Sequence, residues 1–454
     1  MLGRNSSQPA LFQMVDLEAL VPADHRLRKI DAVLDLGFVH DAVSECYSRG
    51  RGRPSIDPEL ALRMMLLGTL YDLSDRELCQ EIGMHVGMRW FCRLNLHDPV
   101  PDHSTLSRLR NERWAESGLF DRLFDEVVRQ CSDAGLVSGR HLSVDGTQIT
   151  ANASVTSLRP IDPKDTDDDP PPSPSGGRAL KEPQPAGAWT AHGVKLSNQT
   201  HRSTSDPEAR LYRKGDLSST RLSYLVHDLI DTRSRVILRR RVSQATGTAE
   251  RDCALRMLDE VMRSRTELGL PKEPEILTAD TGYGTAEFVA DVLDRGITPH
   301  VPLLSNAAVE VVRYKRRTFN LERARKRKER IRRAQACNQV RALYPTAGYQ
   351  VSRKLRIRSE HVFAEGKNEH HLGKARSRGI KRIQPQMLLT GTVQNLKRLA
   401  QFVGRRRRGP ARAALKTVSS LCKSIRAEAA QSLYRIQSLV DRIAFSAIEP
   451  HPTP

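Results

Sequence analysis

Two aspartates at the ends of short apolar runs are the first residues of this sequence that could do chemistry. Asp145 lies in "LSVDGTQIT" and Asp280 in "LTADTGYGT", and a glycine follows each within two residues. This pattern predicts a strand that ends at the carboxylate and then turns. Ligands of α/β sheets gather beyond strand ends, so we expect the two side chains to converge. An Asp before Gly is also a common turn residue, and that alternative stays open for each.

A third acid lies in a helical stretch between two cations. Arg356, Glu360 and Lys367 are separated by four and then seven residues, offsets that return to one face of a helix. Such a helix could contribute one metal ligand and two phosphate contacts. The alternative is an i,i+4 salt bridge on a solvated helix, worth about 0.3–0.5 kcal/mol.

These residue types suit phosphodiester cleavage by two Mg²⁺ ions. Ions roughly 3.5–4 Å apart need several carboxylates, which bind hard cations through oxygen and leave positions open for water and phosphate. One ion activates the nucleophile, and the other stabilises the leaving 3′ oxygen. Asp145, Asp280 and Glu360 would meet that demand.

The net charge indicates which substrate such a site would meet. The 454 residues include 73 Lys and Arg against 53 Asp and Glu, a formal charge of +20. A nucleic acid is therefore the leading partner, although ribosome-associated and membrane-surface proteins share this property. No apolar run is long enough for a membrane span, and the N-terminus lacks the order of a secretory signal, so we expect a cytoplasmic protein associated with the nucleoid.

The seven cysteines are scattered and include no CxxC pair. A disulfide framework and a zinc ribbon are therefore disfavoured, and reduced thiols are expected. His85 and His97 lie near two of the cysteines but without the spacing of zinc ligand pairs.

Residues 1–125 predict an all-α domain. "IDPELALRMMLLGTLYDL" opens with Asp57 as N-cap and Pro58 at the first helical position. "SDRELCQEIG" then carries a capping box formed by Ser74 and Glu77. Two consecutive helices are therefore expected, the second of them ending at a glycine turn.

The next segment, "HVGMRWFCRL", predicts a helix that would complete a helix-turn-helix-like arrangement. Its Arg89 and Arg93 would be available to DNA if this helix entered the major groove. The alternative is a small packed bundle in which Trp90 and Phe91 are core residues.

From about residue 137 to residue 404 the pattern changes to alternating strands and helices. Strands are predicted at "HLSVDGTQIT", "RLSYLVHDLID", "SRVILRRRVS", "PEILTAD" and "ITPHVPL". One helix capped by Thr248 and another closed by Gly296 lie between the later strands. This order predicts an α/β domain with a mixed central sheet covered by helices.

Two inserts interrupt the α/β pattern. Residues 160–188 are rich in proline and predict a disordered loop. The second insert, 306–346, is basic: residues 313–341 contain thirteen basic and two acidic residues. Such a density predicts a contact along the DNA backbone, although a solvated surface is the alternative. A basic run at 404–416 belongs to a C-terminal tail, 405–454, expected to be helical and to bind DNA in the same way.

The motifs together resemble those of a known family, the DDE transposases of bacterial insertion sequences, in the group named after insertion sequence five. The resemblance covers most of residues 15–400. It includes "GRPSIDPELALRMMLL", "DHSTLSRLRNE", "VDGTQITANAS", "SNQTHRSTSDPEARLYRKG", "GTAERDCALRML", "TADTGYGT", "EHVFAEGK", "RSRGIKRI" and "QNLKRL". So many matches in the right order are specific, whereas any one alone would be weak.

The resemblance implies a ribonuclease-H-like catalytic fold in which Asp145, Asp280 and Glu360 are the catalytic residues and bind two Mg²⁺ ions, with Mn²⁺ as a possible substitute. It also implies cleavage of double-stranded DNA at terminal inverted repeats. The freed 3′-hydroxyl would then attack target DNA, and a homo-oligomer is expected in the synaptic complex that holds the ends.

The family signature Tyr-x2-Arg-x3-Glu-x6-Lys implies DNA contacts on either side of the glutamate. It maps onto Arg356, Glu360 and Lys367, and its tyrosine position is Arg353 in this sequence. This departure leaves the metal ligands unchanged, and it makes Arg353 a candidate DNA contact in place of the tyrosine.

Two further residues have more than one interpretation. Glu365 is a rival third acid, but five residues after Glu360 it projects from another part of the helix. Tyr283, just after Asp280, could stack on a flipped base near the cleavage site or pack against the sheet.

Three functions are compatible with these residues. The first is an active Mg²⁺-dependent transposase, which retention of all three acids favours. The second is a catalytically silent DNA-binding protein descended from a transposase. The third is a repair or processing nuclease on the same fold, which would cut DNA without joining it.

Overall fold

The computed structural model describes residues 16–48, 55–161, 190–191, 194–213, 219–307, 311, 313–314 and 320–406. The proline-rich insert predicted at 160–188 and the tail predicted at 405–454 lie almost wholly outside the described residues. The described residues up to Leu399 form one compact unit.

The N-terminal region is all α, as its capping residues predict. Asp57 accepts a hydrogen bond from the Glu59 N–H at 2.7 Å, and Ser74 and Glu77 form the reciprocal capping box. The helices are α1 (Leu17–Leu20), α2 (Arg26–Asp31), α3 (Val39–Val43), α4 (Pro58–Leu70), α5 (Asp75–Met84), α6 (Val86–Phe91), α7 (His103–Arg108) and α8 (Leu119–Asp133). Helices α5 and α6 are consecutive, as predicted, and meet at His85. The expected glycine turn between them is wrong, because Gly83 lies inside α5, which ends at Met84.

A six-stranded mixed sheet forms the centre of the second region. The strands along the chain are β1 (His141–Thr150), β2 (Leu158–Pro160), β3 (Thr190–Ala191), β4 (Val194–Lys195), β5 (His201–Ser203), β6 (Arg210–Tyr212), β7 (Arg221–Asp231), β8 (Ile237–Gln244), β9 (Ile276–Thr278) and β10 (Thr298–His300). Strands β2 with β5, and β3 with β4, form two small separate sheets.

The strand order of the main sheet is that of a ribonuclease-H-like domain. β1 lies between β7, which is antiparallel to it, and β9, which is parallel. β10 extends the parallel side, while β8 and β6 both pair antiparallel with β7. Every residue of β7 after Arg221 is buried, so helices and loops cover both faces of this strand. The predicted α/β fold with a mixed sheet is confirmed.

Helices connect and cover these strands: α9 (Ala249–Arg263), α10 (Ala286–Asp294), α11 (Leu321–Leu343), α12 (Ala347–Leu355), α13 (Ile357–Glu369) and α14 (380–406). The stretch that was expected to be one helix around Glu360 is therefore two helices. They meet at Arg356, which is at once the C-cap of α12 and the N-cap of α13.

The basic insert forms a long helix, α11, which is bound to its neighbour by charge. Arg332 donates hydrogen bonds to Asp291 and Asp294, and Arg333 to Glu287. The three acids belong to α10, so its acidic face neutralises part of the charge of α11.

Three consecutive arginines of β8 tie the sheet to helices on both faces. Arg239 and Arg241 lie on one face and pair with Asp125 and Asp121 of α8. Arg240 lies on the other face and donates two hydrogen bonds to Asp228 of β7, at 2.7 and 2.6 Å. This alternation follows from the two-residue period of a strand.

Among the residues that the structure describes, no helix is both long and apolar enough to cross a membrane. The six cysteines that the structure describes are all free thiols, in agreement with the expected reduced state.

Candidate active site

Parallel pairing of β1 with β9 places Asp145 beside Asp280. Ser143 of β1 is the register partner of Thr278 of β9, and the two aspartates each lie two residues further along. The expectation that Asp145 ends its strand is wrong, because β1 continues to Thr150 by pairing with β7. Asp280 does lie just past the end of β9, as predicted. The two aspartates therefore lie at the end of β9, while β1 continues beyond them.

The environment of Asp145 makes its negative charge costly. Burial, and then the negative charge of Asp280, raises the pKa of the Asp145 carboxyl from 3.8 to about 6. The N–H of Gly146 donates to this carboxylate at 2.8 Å and the Ser359 hydroxyl at 3.2 Å, and both hydrogen bonds act in the opposite direction. A cation at this position would relieve the repulsion between the two aspartates.

Asp280 has an open carboxylate oxygen. Asp280 precedes the short 3₁₀ helix Thr281–Tyr283, but its side chain makes no capping hydrogen bond. Its Oδ1 atom is buried and has no hydrogen-bond partner among the described residues. A buried acceptor without a partner costs about 1–3 kcal/mol, so the turn-residue alternative does not account for this side chain. A buried carboxylate oxygen without a donor fits a divalent-cation ligand.

Glu360 lies in the first turn of α13, one residue after a contact between that helix and Asp145. Ser359, its neighbour in sequence, is the residue that donates to Asp145. Arg356 donates a hydrogen bond to Glu360 at 2.7 Å and also lowers the pKa of Asp145 through its charge. The i,i+4 salt bridge expected as the simpler alternative is therefore present, and it lies within the electrostatic range of the acidic pair.

The other predicted contacts of this region lie on exposed positions. Lys367 is exposed on α13, and Arg353 is exposed on α12. The rival acid Glu365 is instead part of an internal ion pair, 2.7 Å from Arg398 and 2.6 Å from Lys397. Its charge is used to bind α13 to α14.

Tyr283 is buried, so the suggestion that it stacks on a flipped base is wrong. Its side chain is 1% exposed, and its ring packs against Phe288 at 5.4 Å between centroids. Burial is the main cause that raises the pKa of this tyrosine well above its ordinary value; the charges of Glu250, Asp145 and Asp280 add to the effect. The buried Tyr283 therefore lies within the electrostatic range of the acidic residues.

Sequence reasoning missed Glu250. It lies in the first turn of α9, where an acid is normally interpreted as a partner of the helix dipole. Its Oε1 atom lies 3.1 Å from the position that a Cβ atom of Gly146 would occupy. No local pattern pairs a helix start with a residue on a distant strand, so only a signal from the tertiary fold could have found it.

The two arginines predicted to read the major groove differ in exposure. Arg89 is 8% exposed and donates to the backbone carbonyls of Gly83, Asn95 and Asp98. The expectation that Arg89 is available to DNA is therefore wrong in this structure, because its guanidinium holds the α5–α6 junction and the loop after α6. Arg93 is half exposed and pairs with Asp31, so its contact with DNA stays a prediction. Trp90 and Phe91 are buried, as the packed-bundle alternative expects.

The raised pKa of Asp145 predicts a pH-dependent loss of stability in metal-free protein. The folded protein keeps this proton up to about pH 6, whereas the unfolded chain loses it near 3.8, so the stabilisation is complete below pH 3.8 and is lost as the pH rises to about 6. The difference corresponds to about 3 kcal/mol. In urea denaturation with a chelator, Asp145→Asn should be more stable than the wild type at pH 8, and the two should converge at pH 4.

Divalent ions provide the control for that measurement. Mg²⁺ at pH 8 should stabilise the wild-type protein and leave Asp145→Asn unchanged, because the ion binds the ionised carboxylate. If the wild type and Asp145→Asn were equally stable at pH 8 without metal, ionisation of Asp145 would not destabilise the folded protein, contrary to this prediction.

Comparison with known proteins gives two family matches in chain order. A family described as "Transposase domain (DUF772)" matches residues 15–112, which contain α1 to α7. A family described as "Transposase DDE domain" matches residues 193–396, which contain β7, Asp280 and Glu360. Asp145 precedes the second match.

Solved structures give only a weak likeness. "Crystal structure of the Mos1 mariner paired end complex with Mn" is 10% identical, covers 75% of this chain and 90% of that chain, and has a TM-score of 0.18. "Mos1 transposase paired-end complex with left transposon end" is 9% identical, covers 68% and 81%, and has the same TM-score. The fold assignment therefore rests on the strand order, and the family on the two matched domains. The chain belongs to the DDE transposases of insertion sequences.

Proposed function

We propose that this protein is an active transposase that cuts double-stranded DNA at the terminal inverted repeats of its own insertion sequence and joins the freed 3′-hydroxyl ends to target DNA. The observation that supports this best is the pair of Asp145 and Asp280 on adjacent parallel strands, with α13, the helix of Glu360, bound to Asp145 through Ser359. Two neighbouring carboxylates repel each other, and binding of DNA alone does not require such a pair.

Asp145, Asp280 and Glu360 would hold two Mg²⁺ ions, with Mn²⁺ as a substitute. The buried, unpartnered Oδ1 atom of Asp280 and the raised pKa of Asp145 fit that group. The chemistry that such ions supply when bound is activation of the attacking oxygen and stabilisation of the leaving 3′ oxygen.

The remaining residues of the site would orient the acids and the DNA. Ser359 fixes the carboxylate of Asp145 by its hydrogen bond, so this ligand does not need to be ordered during the reaction. Arg356, which neutralises Glu360 in this structure, would be able to turn to a phosphate once Glu360 binds a cation. Lys367 and Arg353, both exposed, would bind the backbone of the transposon end.

Helix α11 provides a larger surface for the DNA backbone. Arg332 and Arg333 use their charge on α10. Five other basic residues of α11 are exposed: Arg323, Arg325, Lys326, Lys328 and Arg330. Lys326 pairs with Glu322 of the same helix, but cations outnumber acids along α11, and such an excess suits a polyanion.

A matched pair of substitutions on α11 tests this surface. Arg330→Ala and Arg332→Ala each remove one charge from the same helix, but only Arg332 is bound to α10. Arg330→Ala should reduce the slope of log affinity against log salt by about 0.9 if one phosphate contact is lost. Arg332→Ala should instead lower the melting temperature and leave the slope nearly unchanged. If neither Arg330→Ala nor Lys328→Ala changed the slope of log affinity against log salt, the proposed DNA-binding surface on α11 would be wrong.

The function itself is tested with a labelled inverted-repeat end, target DNA and Mg²⁺. Joined product supports the transposase. Cleavage without joining would show that the protein is a nuclease instead. A mobility shift without cleavage would show that it is a catalytically silent DNA-binding protein.

The proposal includes a homo-oligomer, because two ends must be held together before they are joined to one target. Such a complex would form on DNA of the nucleoid in the cytoplasm. Sedimentation of the protein with one and with two labelled ends should give a species that contains both ends and at least two chains.

A further inference from the structure

We propose that Glu250 is a fourth carboxylate of the divalent-cation site, brought there by the first turn of α9. The inference rests on the cation site of the proposed function and adds a ligand that the three-acid signature does not contain. Three independent features of the structure support it.

The first feature is the approach of Glu250 to β1. Gly146 directly follows Asp145, and a Cβ atom on Gly146 would lie 3.1 Å from Oε1 of Glu250 and 3.3 Å from Nδ1 of His227. Glycine therefore leaves room for the glutamate to approach β1 at the residue that follows Asp145. Any larger residue at position 146 would displace the end of this side chain.

The second feature is a set of buried polar atoms without partners on residues near these acids: Nδ1 of His227 approaches Gly146, and Tyr283 follows Asp280 in the same turn. The Tyr283 hydroxyl, Nδ1 of His227 and Oδ1 of Asp280 are buried and have no hydrogen-bond partner among the described residues. Tyr283 is 1% exposed and His227 is completely buried, so bulk solvent does not satisfy them. Each unpaired group costs about 1–3 kcal/mol, which indicates that a further polar species belongs in this space.

The charges around the Tyr283 hydroxyl show which species would fit. Glu250, Asp145 and Asp280 all lie close enough to raise the pKa of this tyrosine, and Glu250 has the largest effect of the three. Glu250 and Asp280 also raise the pKa of Tyr212 on β6, after the larger effect of burial. Three carboxylates that act on one buried hydroxyl favour a cation among them. Oxygen ligands favour a hard divalent ion with some of its water retained.

The third feature is a link between α9 and the loop of Asp280. Arg251, the next residue after Glu250, donates to the carbonyl oxygens of Gly282, at 3.3 Å, and Gly247. The first turn of α9 and the turn after Asp280 are thereby held together. Glu250 and Asp280 keep a defined separation, as ligands of one site require.

A role in the helix dipole alone does not explain Glu250. Asp252 lies in the same first turn of α9 and is exposed, so it can interact with the dipole from the solvent side. Glu250 is partly buried against the sheet instead. Asp252→Asn is therefore a matched control that removes one negative charge from the same helix start.

Mn²⁺ binding to the full chain, measured by electron paramagnetic resonance of the free ion, tests the inference without relying on activity. Glu250→Gln should weaken Mn²⁺ binding by about tenfold or more, Asp145→Asn should abolish it, and Asp252→Asn should change it by less than about twofold. Near-ultraviolet circular dichroism of each variant verifies that the tyrosines keep their packing.

The outcomes separate the two proposals. Loss of binding in Asp145→Asn with wild-type affinity in Glu250→Gln would overturn the role of Glu250 and leave the three-acid site. An equal loss in Glu250→Gln and Asp252→Asn would also overturn it, because it would show a general effect of charge. Absence of Mn²⁺ binding by the wild-type protein would overturn the cation site of the proposed function itself.

Discussion

Asp145→Asn should abolish cleavage of a labelled transposon end while the protein still binds that end. The substitution keeps the shape of the side chain and an acceptor for the Gly146 N–H, but it removes the charge that a divalent cation needs. Loss of such a ligand removes several kcal/mol of transition-state stabilisation, so we expect cleavage to fall at least about a thousandfold. Asp280→Asn and Glu360→Gln should behave in the same way.

The measurement compares cleavage rate and end affinity in the same preparation. Asp24→Asn, on an exposed position of the N-terminal region, is the control for loss of one negative charge. Because neutralising an acid increases the net positive charge, the three site variants should bind the end as well as the wild type or slightly better. Normal cleavage by any one of them would remove that residue from the site.

Arg240→Met should be the most destabilising of the substitutions considered. Arg240 is 0% exposed and its partner Asp228 1%. The guanidinium also donates to the Met387 carbonyl oxygen at 3.2 Å and to the Gln394 side chain at 3.1 Å. Its removal leaves a buried carboxylate without a counter-charge, which costs about 3–5 kcal/mol in comparable pairs. The urea midpoint should fall accordingly.

Two further variants identify the cause of that loss. Arg240→Met combined with Asp228→Leu removes both charges and should recover much of the stability, because a buried pair can often be replaced by apolar residues. Arg241→Met, whose side chain is 30% exposed, should cost clearly less than Arg240→Met. A double variant as unstable as the single one would show that the hydrogen bonds to α14, and not the unpaired charge, explain the effect.

Local sequence signals correctly predicted where several helices and strands lie. Asp57 with Pro58, and Ser74 with Glu77, predicted the starts of α4 and α5, because capping involves residues two or three positions apart. The predicted strand "RLSYLVHDLID" is β7, residue for residue. Its burial on both faces was not evident from its composition, because Ser223, His227, Asp228 and Asp231 interrupt the apolar residues and are buried as well.

Signals that depend on distant partners were less reliable. Asp145 was expected at the end of β1, but the strand continues because β7 supplies hydrogen-bond partners as far as Ser223. Arg89 was expected on a DNA surface, but three backbone carbonyls of its own domain bind its guanidinium. A sequence window shows neither partner, since a side chain's exposure depends on what packs against it.

The amino-acid sequence by itself determined the family and the types and order of most elements, because periodicity, capping and motifs are local properties of the chain. It also predicted Asp145, Asp280 and Glu360 as the acids of the site. Only the tertiary structure decided that Ser143 pairs with Thr278 and so brings two aspartates together. It alone placed Glu250 beside Gly146 and used Glu365 in an ion pair. Register, burial and charge pairing arise from contacts between residues far apart in sequence, and their energies exist only once the chain has folded.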